Sequence, residues 1–276
     1  MKNKHSQIKE FKYGNSIIGF YLCKNINCKV SRLGDEYVDL FLEDSTGSIR
    51  AKIWSNVGFY KNTIDISHPV AIKGKVISYN NKLELDISFI KSVDNNLYDK
   101  YGYNENLLFK YTDKVMEKNF KKLLYYTNIL TSEYKKISIN VFDKYKDQIL
   151  SIPSIDKKYS YKGGFLIQLL TLLELNSKIH KSYSLEYDKV VIGIIFKNIG
   201  LLQYYNDDIL YTITDANKEK GHKLIGIEIV DKYVSKKYNQ LLDFLKNIII
   251  SEKIMSDNIY IDYINNIYEF DSKLNI

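Results

Sequence analysis

Between residues 16 and 93 apolar and polar positions alternate with a period of two. The clearest runs are Tyr37 to Glu43, Ser48 to Trp54 and Val70 to Tyr79. Successive side chains of a strand point to opposite faces, so this pattern predicts half-buried strands. A longer strand is expected over Ile17 to Val30 and a last one over Leu83 to Val93. Turn signals separate them at Leu33-Gly34-Asp35, Ser45-Thr46-Gly47 and Asn80-Asn81. Val57 to Ile64 reads as a short helix or loop between the third and fourth strands. A polar, turn-rich stretch follows (Asp94-Asn95-Asn96, then Tyr101-Gly102-Tyr103-Asn104), and beyond it the spacing becomes helical. Leu123, Ile129 and Leu130 begin that region. Gly164 to His180, Leu185 to Leu202, His222 to Val234 and Tyr238 to Ile250 continue it, with Pro153 and Tyr161-Lys162-Gly163-Gly164 as punctuation. There is no internal repeat and no low-complexity tract.

Five short strands with one helical interruption match the OB-fold, a five-stranded Greek-key barrel. The expected class is therefore α+β with two domains. Residues 1–15 form an N-terminal tail, 16–94 the barrel, 95–106 a linker and 107–276 an all-α domain.

Composition narrows this only slightly. The chain of 276 residues is 45% hydrophobic and 26% charged, enough to bury a sizeable core. No apolar run reaches the ~18 residues of a membrane span. The richest, Val190 to Phe196, is short and is followed by Lys197 and Asn198. The start, Met1-Lys2-Asn3-Lys4-His5, is polar and lacks a signal-peptide core, so a cytoplasmic protein is expected. Cys23 and Cys28, with no second pair and no nearby His, make a poor zinc site and are expected on opposite sides of a strand. The net charge of +7 suits a polyanionic partner. Yet Lys, Asn, Ile and Tyr dominate, and the arginines are only Arg32 and Arg50. An AT-rich genome produces such a bias without selection for binding.

Parity sorts the strand residues. Val38, Leu40, Leu42, Ile49, Ala51, Ile53, Val70, Ile72 and Val76 point into the barrel. Tyr37, Asp39 and Phe41 point out, as do Arg50, Lys52 and Trp54, and Lys73, Lys75 and Tyr79. Rings stack on bases and cations neutralise phosphates, so an outer face mixing the two suits single-stranded RNA or DNA. The face of the second and third strands is the usual OB binding surface. The competing reading has Trp54 and Phe41 packing under the helical domain and the lysines simply solvated.

Several motifs resemble the YhaM-type 3′-5′ exoribonucleases, which join an OB-fold to an HD-type metal phosphodiesterase domain. In the barrel these are Gly19-Phe20-Tyr21-Leu22, Asp39-Leu40 with Leu42, Asp44 and Thr46-Gly47, Ala51-Lys52-Ile53-Trp54, Lys73-Gly74-Lys75-Val76, Tyr79 and Lys82-Leu83. In the helical part they are Tyr161-Lys162-Gly163-Gly164-Phe165-Leu166, Ile199-Gly200 and Gly221-His222. The resemblance implies a degenerate HD-like domain, because the metal residues depart from the family pattern. The family's His-His pair before the Gly-Gly falls on Lys158-Tyr159, and its next metal histidine on Gln168. Its His-Asp doublet falls on Lys197-Asn198, and the lysine after that doublet on Leu201. A later Ser-His-His falls on Ser251-Glu252-Lys253. The closing aspartate aligns with Asn265 or Asp271, and His222 alone survives.

Metal-assisted phosphodiester hydrolysis needs several imidazoles and carboxylates converging on one cation. One histidine with a lysine at the doublet does not supply them, so no catalytic residue, metal or other cofactor is expected. Gly163-Gly164 lacks the spacing of a phosphate loop. Asp207-Asp208 with Asp215 reads as a polar loop. Lysines instead accumulate at Lys157, Lys158, Lys162, Lys197 and Lys253, which suggests a cationic cleft able to hold a phosphate backbone without cutting it. The expected role is thus non-catalytic binding of single-stranded nucleic acid, RNA being favoured because the family acts on RNA. The alternatives are a surviving Mn²⁺- or Mg²⁺-dependent exoribonuclease, or a structural subunit meeting a protein partner or a second copy.

Overall fold

A computed structural model describes residues 5–64, 68–93, 95–206, 211–251 and 257–274, the side chains of 61, 62, 95, 96 and 105 excepted. Five strands form the first part: β1 (Ser16–Val30), β2 (Glu36–Asp44), β3 (Gly47–Ile53), β4 (Pro69–Tyr79) and β5 (Lys82–Ser92). Helix α1 (Val57–Thr63) lies between β3 and β4. The strands close into a barrel in the order β1-β2-β3-β5-β4. Only the β3–β5 pairing is parallel; this order, with a helix before β4, is the OB-fold.

Parity builds the barrel. All nine residues expected inside are buried, joined by Tyr21, Leu85 and Ile87. Cys23 of β1 is buried and Cys28 exposed, but not because they face opposite sides as the spacing predicts: a register shift after Cys23 sets them opposite the inward-facing Leu42 and Val38, so they share one side. The β2–β3 register sets Phe41 opposite Arg50 and Asp39 opposite Lys52.

The segment before β1 packs as part of the barrel. Phe11 is buried in its core, and the Tyr21 hydroxyl donates to the carbonyl of Ser6 at 2.6 Å. Asp44, at the end of β2, ties that segment to the β2–β3 turn. Its carboxylate accepts from the amides of Ile8 (2.8 Å), Thr46 (2.7 Å) and Gly47 (3.0 Å), and from the Thr46 hydroxyl (2.6 Å). His5 Nε2 lies 3.3 Å away. Burial alone would raise the Asp44 carboxyl, but the hydrogen bonds from His5, Thr46 and Ile8 outweigh it and hold it below the ordinary range. The turn-rich stretch after β5 also packs on the barrel. It contains α2 (Asn95–Tyr98), and its Tyr103, with Leu108, covers Phe20 and Ala71. The first compact unit accordingly runs through Thr112, and the second starts at Asp113.

The second unit is helical: α3 (Asp113–Asn128), α4 (Ser132–Lys144), α5 (Lys146–Ser151), α6 (Gly164–Ile179), α7 (Tyr187–Phe196), α8 (Leu201–Tyr204), α9 (Asp215–Tyr233), α10 (Asn239–Ile250) and α11 (Ile259–Lys273). The apolar run Val190 to Phe196 is buried on every side, as a helix apolar all round must be. Two glycine positions set the approach of neighbouring chain. A Cβ on Gly164 would meet the Tyr159 carbonyl oxygen at 1.8 Å, and one on Gly200 would meet that of His222 at 1.8 Å. Helix α9 kinks at Gly221, immediately before His222. Among the described residues no helix is long and apolar enough to cross a membrane.

Replacing Asp44 with Ala strands several buried donors at once, so a loss of roughly 2–4 kcal/mol is expected in urea unfolding at pH 7. Because its carboxyl is depressed, the stability it contributes is present above the unfolded pKa near 3.8 and is lost as pH falls below it. Acid unfolding of Asp44→Ala should therefore be the less steep of the two.

Candidate functional site

On the barrel's outer face, Tyr37 of β2 and Trp54 just after β3 stack with ring centroids 4.6 Å apart and planes 28° from parallel. Trp54 remains 46% exposed and Phe41 43% exposed, so flat apolar surface is offered to solvent. The ammonium of Lys52 lies 4.3 Å from the Tyr79 ring and 5.9 Å from the Tyr37 ring. Four residues chosen by parity on three different strands thus meet in one aromatic cluster. Phe41 lies further along, where an open groove of about 560 Å³ is lined by Lys24, Asn25, Asn27, Lys29, Phe41 and Arg50.

The cations of this face are not free. Arg50 grips Asp39 with both arms of its guanidinium, at 2.6 and 2.9 Å, and Lys29 donates to the same carboxylate. Lys52 is buried, and its ammonium sits 2.6 Å from Glu84 of β5. Burial would raise the Asp39 carboxyl, but the bonds from Arg50 and Lys29 prevail and hold it low. The rings therefore stand out of a face whose charges are largely matched. Lys73 lies apart, lining a separate cavity of about 350 Å³ with Ile18, Phe20, Phe89, Tyr98 and Tyr101. Lys75 is exposed beside Asp86, its β5 register partner.

The contribution of β1 was missed by parity. A register shift between Cys23 and Asn25 breaks the strand's alternation. The usable signal was Asn25, Asn27 and Lys29, polar residues two apart that pair with Phe41, Asp39 and Tyr37. Parity placed Asp39 on this face but not its pairing with Arg50 and Lys29, and Glu84 had no signal of its own, since ion pairing across strands depends on register.

In the helical unit the positions aligned with metal ligands do converge. Lys158, Gln168, Lys197, Asn198, His222 and Asn265 line one open cavity of about 860 Å³, together with Lys157 and Lys223. Lys158 donates to Asp271 at 2.8 Å, and Tyr159 donates to the same oxygen at 3.0 Å. Lys197 donates to the side-chain oxygen of Asn265 at 2.5 Å. The two lysines thus each bond to one of the two positions aligned with the closing aspartate. Gln168 is buried and accepts from the Ser154 hydroxyl at 2.6 Å. Lys162 lies 3.7 Å from Asp113 and does not line the cavity. Glu252, Lys253 and the acidic pair Asp207-Asp208 fall outside the described residues.

Among the described residues a divalent metal does not fit this lining. Ammonium groups cannot ligate and the amides of Gln168, Asn198 and Asn265 are neutral; the carboxylates and imidazole present are Asp156, Glu269 and His222, of which Asp156 caps the Lys158 amide and Glu269 pairs with Lys273. Among the described residues no group of three or more His, Cys, Asp or Glu is placed to hold a metal ion.

The fold and these surfaces define an OB-barrel protein with a helical second unit. The chain is similar to the 3′-5′ exoribonuclease YhaM of Oceanobacillus iheyensis, with 23% identity over 225 residues, 78% of this chain and 68% of that protein. That match is longer than either unit. No family model matches the chain. Among solved structures, the second OB-fold domain of replication protein A from Methanococcus maripaludis is 20% identical, covering 34% of this chain and 99% of that one at a TM-score of 0.29. A replication protein A heterotrimer bound to single-stranded DNA is 18% identical, covering 33% and 66% at a TM-score of 0.26.

Burial, then the charges of Lys223 and Lys197, hold the His222 imidazole below its ordinary 6.5. The unfolded chain therefore takes up the proton first as pH falls. The stability contributed by neutral His222 is present above the unfolded pKa near 6.5 and lost as pH drops through it. An NMR titration of the His222 ring should give a midpoint below 6.5, rising when Lys197 becomes Met; a midpoint at or above 6.5 in the wild type would contradict this electrostatic picture.

Proposed function

We propose that this protein binds single-stranded nucleic acid on the outer face of β2 and β3 and does not cut it. The observation that carries the reading is the exposed Tyr37–Trp54 stack, extended by Lys52 and Tyr79 and continued by the groove beside Phe41. Bases have flat faces that stack on such rings with little regard to sequence, each stack contributing about 1–3 kcal/mol by truncation. The asparagines and lysines of β1 supply donors along the same groove for base edges and phosphates. RNA is the preferred class, because the relative spanning both units is named for acting on it.

The non-cutting part of the proposal rests on the donor set of the helical cavity. Its lysines and amides do not ligate a metal as imidazoles and carboxylates do, and Asp156, His222 and Glu269 form no group placed to hold one among the described residues. With no cation to generate a hydroxide, bound strand would leave unchanged. The helical unit then serves as a stable folded body rather than as a hydrolase.

Trp54→Ala is expected to weaken binding of a labelled single-stranded RNA roughly 5- to 150-fold in an anisotropy titration, the range that about 1–3 kcal/mol per stack implies. Equal affinities would remove the stacking role. Asp39→Asn frees Arg50 and Lys29, so tighter binding and a log–log salt slope steeper by about 0.7 per added phosphate contact are expected. The labelled strand should keep its length with Mn²⁺ or Mg²⁺ present. Metal-dependent shortening that His222→Ala abolishes would establish a nuclease instead, and unaltered oligonucleotide mobility at low salt would favour a structural subunit.

A further inference from the structure

The ammonium of Lys197 sits in a cage of oxygen atoms. It donates to the main-chain oxygens of Ile248 at 3.4 Å and Ser251 at 3.3 Å, to the Ser251 hydroxyl at 3.4 Å and to Asn265 Oδ1 at 2.5 Å. The ring of Tyr268 lies 5.7 Å from it. Three helices contribute. Lys197 caps the C-terminus of α7, Ile248 and Ser251 belong to the C-terminal end of α10, and Asn265 and Tyr268 project from α11.

The end of α10 is suited to a cation. Its last carbonyls have no partner within the helix, and the helix dipole is negative there. Lys223 also answers this end, donating to the Ile250 carbonyl at 3.1 Å. Main-chain, hydroxyl and amide oxygens are hard, neutral donors of the kind that hold cations. Ser251 and Asn265 are further linked, the Asn265 amide donating to the Ser251 hydroxyl at 3.3 Å, so the cage is braced from both sides. An ammonium has three N–H donors and no acceptor, and the four oxygens here outnumber them. Lys197 is therefore engaged with the protein, not directed at a ligand in the cavity.

We infer that the helical unit contains an oxygen-lined cation site whose occupant is the protein's own Lys197 ammonium. A tethered ion thereby joins the ends of α7 and α10 to α11. The inference stands apart from the barrel face: failure of the Trp54 test leaves it intact, and its own failure leaves the stacking surface intact.

The test removes the tether and offers a free ion. Lys197→Ala deletes the ammonium and the stem that carries it, whereas Lys197→Met keeps the stem and deletes the charge. Both full-length variants should melt roughly 4–10 °C below wild type. Added n-propylammonium chloride should restore at least half the loss in Lys197→Ala, in a saturable way. Lys197→Met, whose stem blocks the cage, should not recover, and tetramethylammonium chloride should have no effect in either. Wild type should melt at the same temperature with and without EDTA. Undiminished melting temperatures in both variants, a loss in Lys197→Ala that n-propylammonium does not restore, or a wild-type melting point lowered by EDTA would each overturn the inference. Should Lys197→Ala fail to fold, Asn265→Leu decides the matter. It should lower the melting temperature in the wild-type background but not in Lys197→Met, and equal losses in the two backgrounds would refute the cage.

Discussion

A lysine or arginine withdrawn from water must find oxygen around its charge, and that constraint organises the functional surfaces of both units. An unpaired buried charge costs several kcal/mol, far more than an exposed ion pair returns. On the barrel, Lys52 is buried among rings and meets Glu84, while the buried carboxylate of Asp39 is met by the more exposed Arg50 and Lys29. In the helical unit, Lys158 meets Asp271 and Lys197 meets the end of α10 with Asn265. Each pairing joins separate elements, so the charges act as fasteners before they act on any partner.

This alters what the barrel face offers. A stripe of free cations beside tryptophan would bind polyanions mainly by counterion release, with steep salt dependence. On the proposed reading, a face whose cations are already matched would rely more on stacking, with Tyr37, Trp54, Phe41 and Tyr79 as its platform. Asp39 holds Arg50 and Lys29 in position and would offset their pull on phosphate.

The helical cavity shows the same chemistry with another outcome. Gly164 and Gly200 admit neighbouring chain so close that a Cβ could not fit. Lysines and neutral amides share the lining with Asp156, Glu269 and His222, and among the described residues no three of the His, Cys, Asp or Glu groups are placed to hold a metal. The lysines at the aligned positions are bound to Asp271 and Asn265, so the cavity is less a basic cleft than a braced frame.

The sequence by itself determined the barrel and the helical unit, because both follow from local periodicity. Val38, Leu40 and Leu42 could only face inward together, and the run Val190 to Phe196 reads as part of a helix from the spacing of the longer segment Leu185 to Leu202 around it. It also placed Tyr37, Arg50, Lys52, Trp54 and Tyr79 on the outside, which is a matter of counting by twos. Tertiary structure alone decided what those side chains touch. Glu84 reaches Lys52 through a parallel β3–β5 pairing absent from any local pattern, and a shift in β1 brings Asn25 and Asn27 beside Phe41. Phe11 and Tyr103, in segments that read as tail and linker, pack on the barrel because apolar side chains follow available surface rather than composition. Lys197 looked like a cation facing a cleft, but the C-terminus of α10, about 50 residues onward, turned it into part of the frame. Parity and periodicity are properties of neighbours in the chain, whereas charge compensation is a property of neighbours in space.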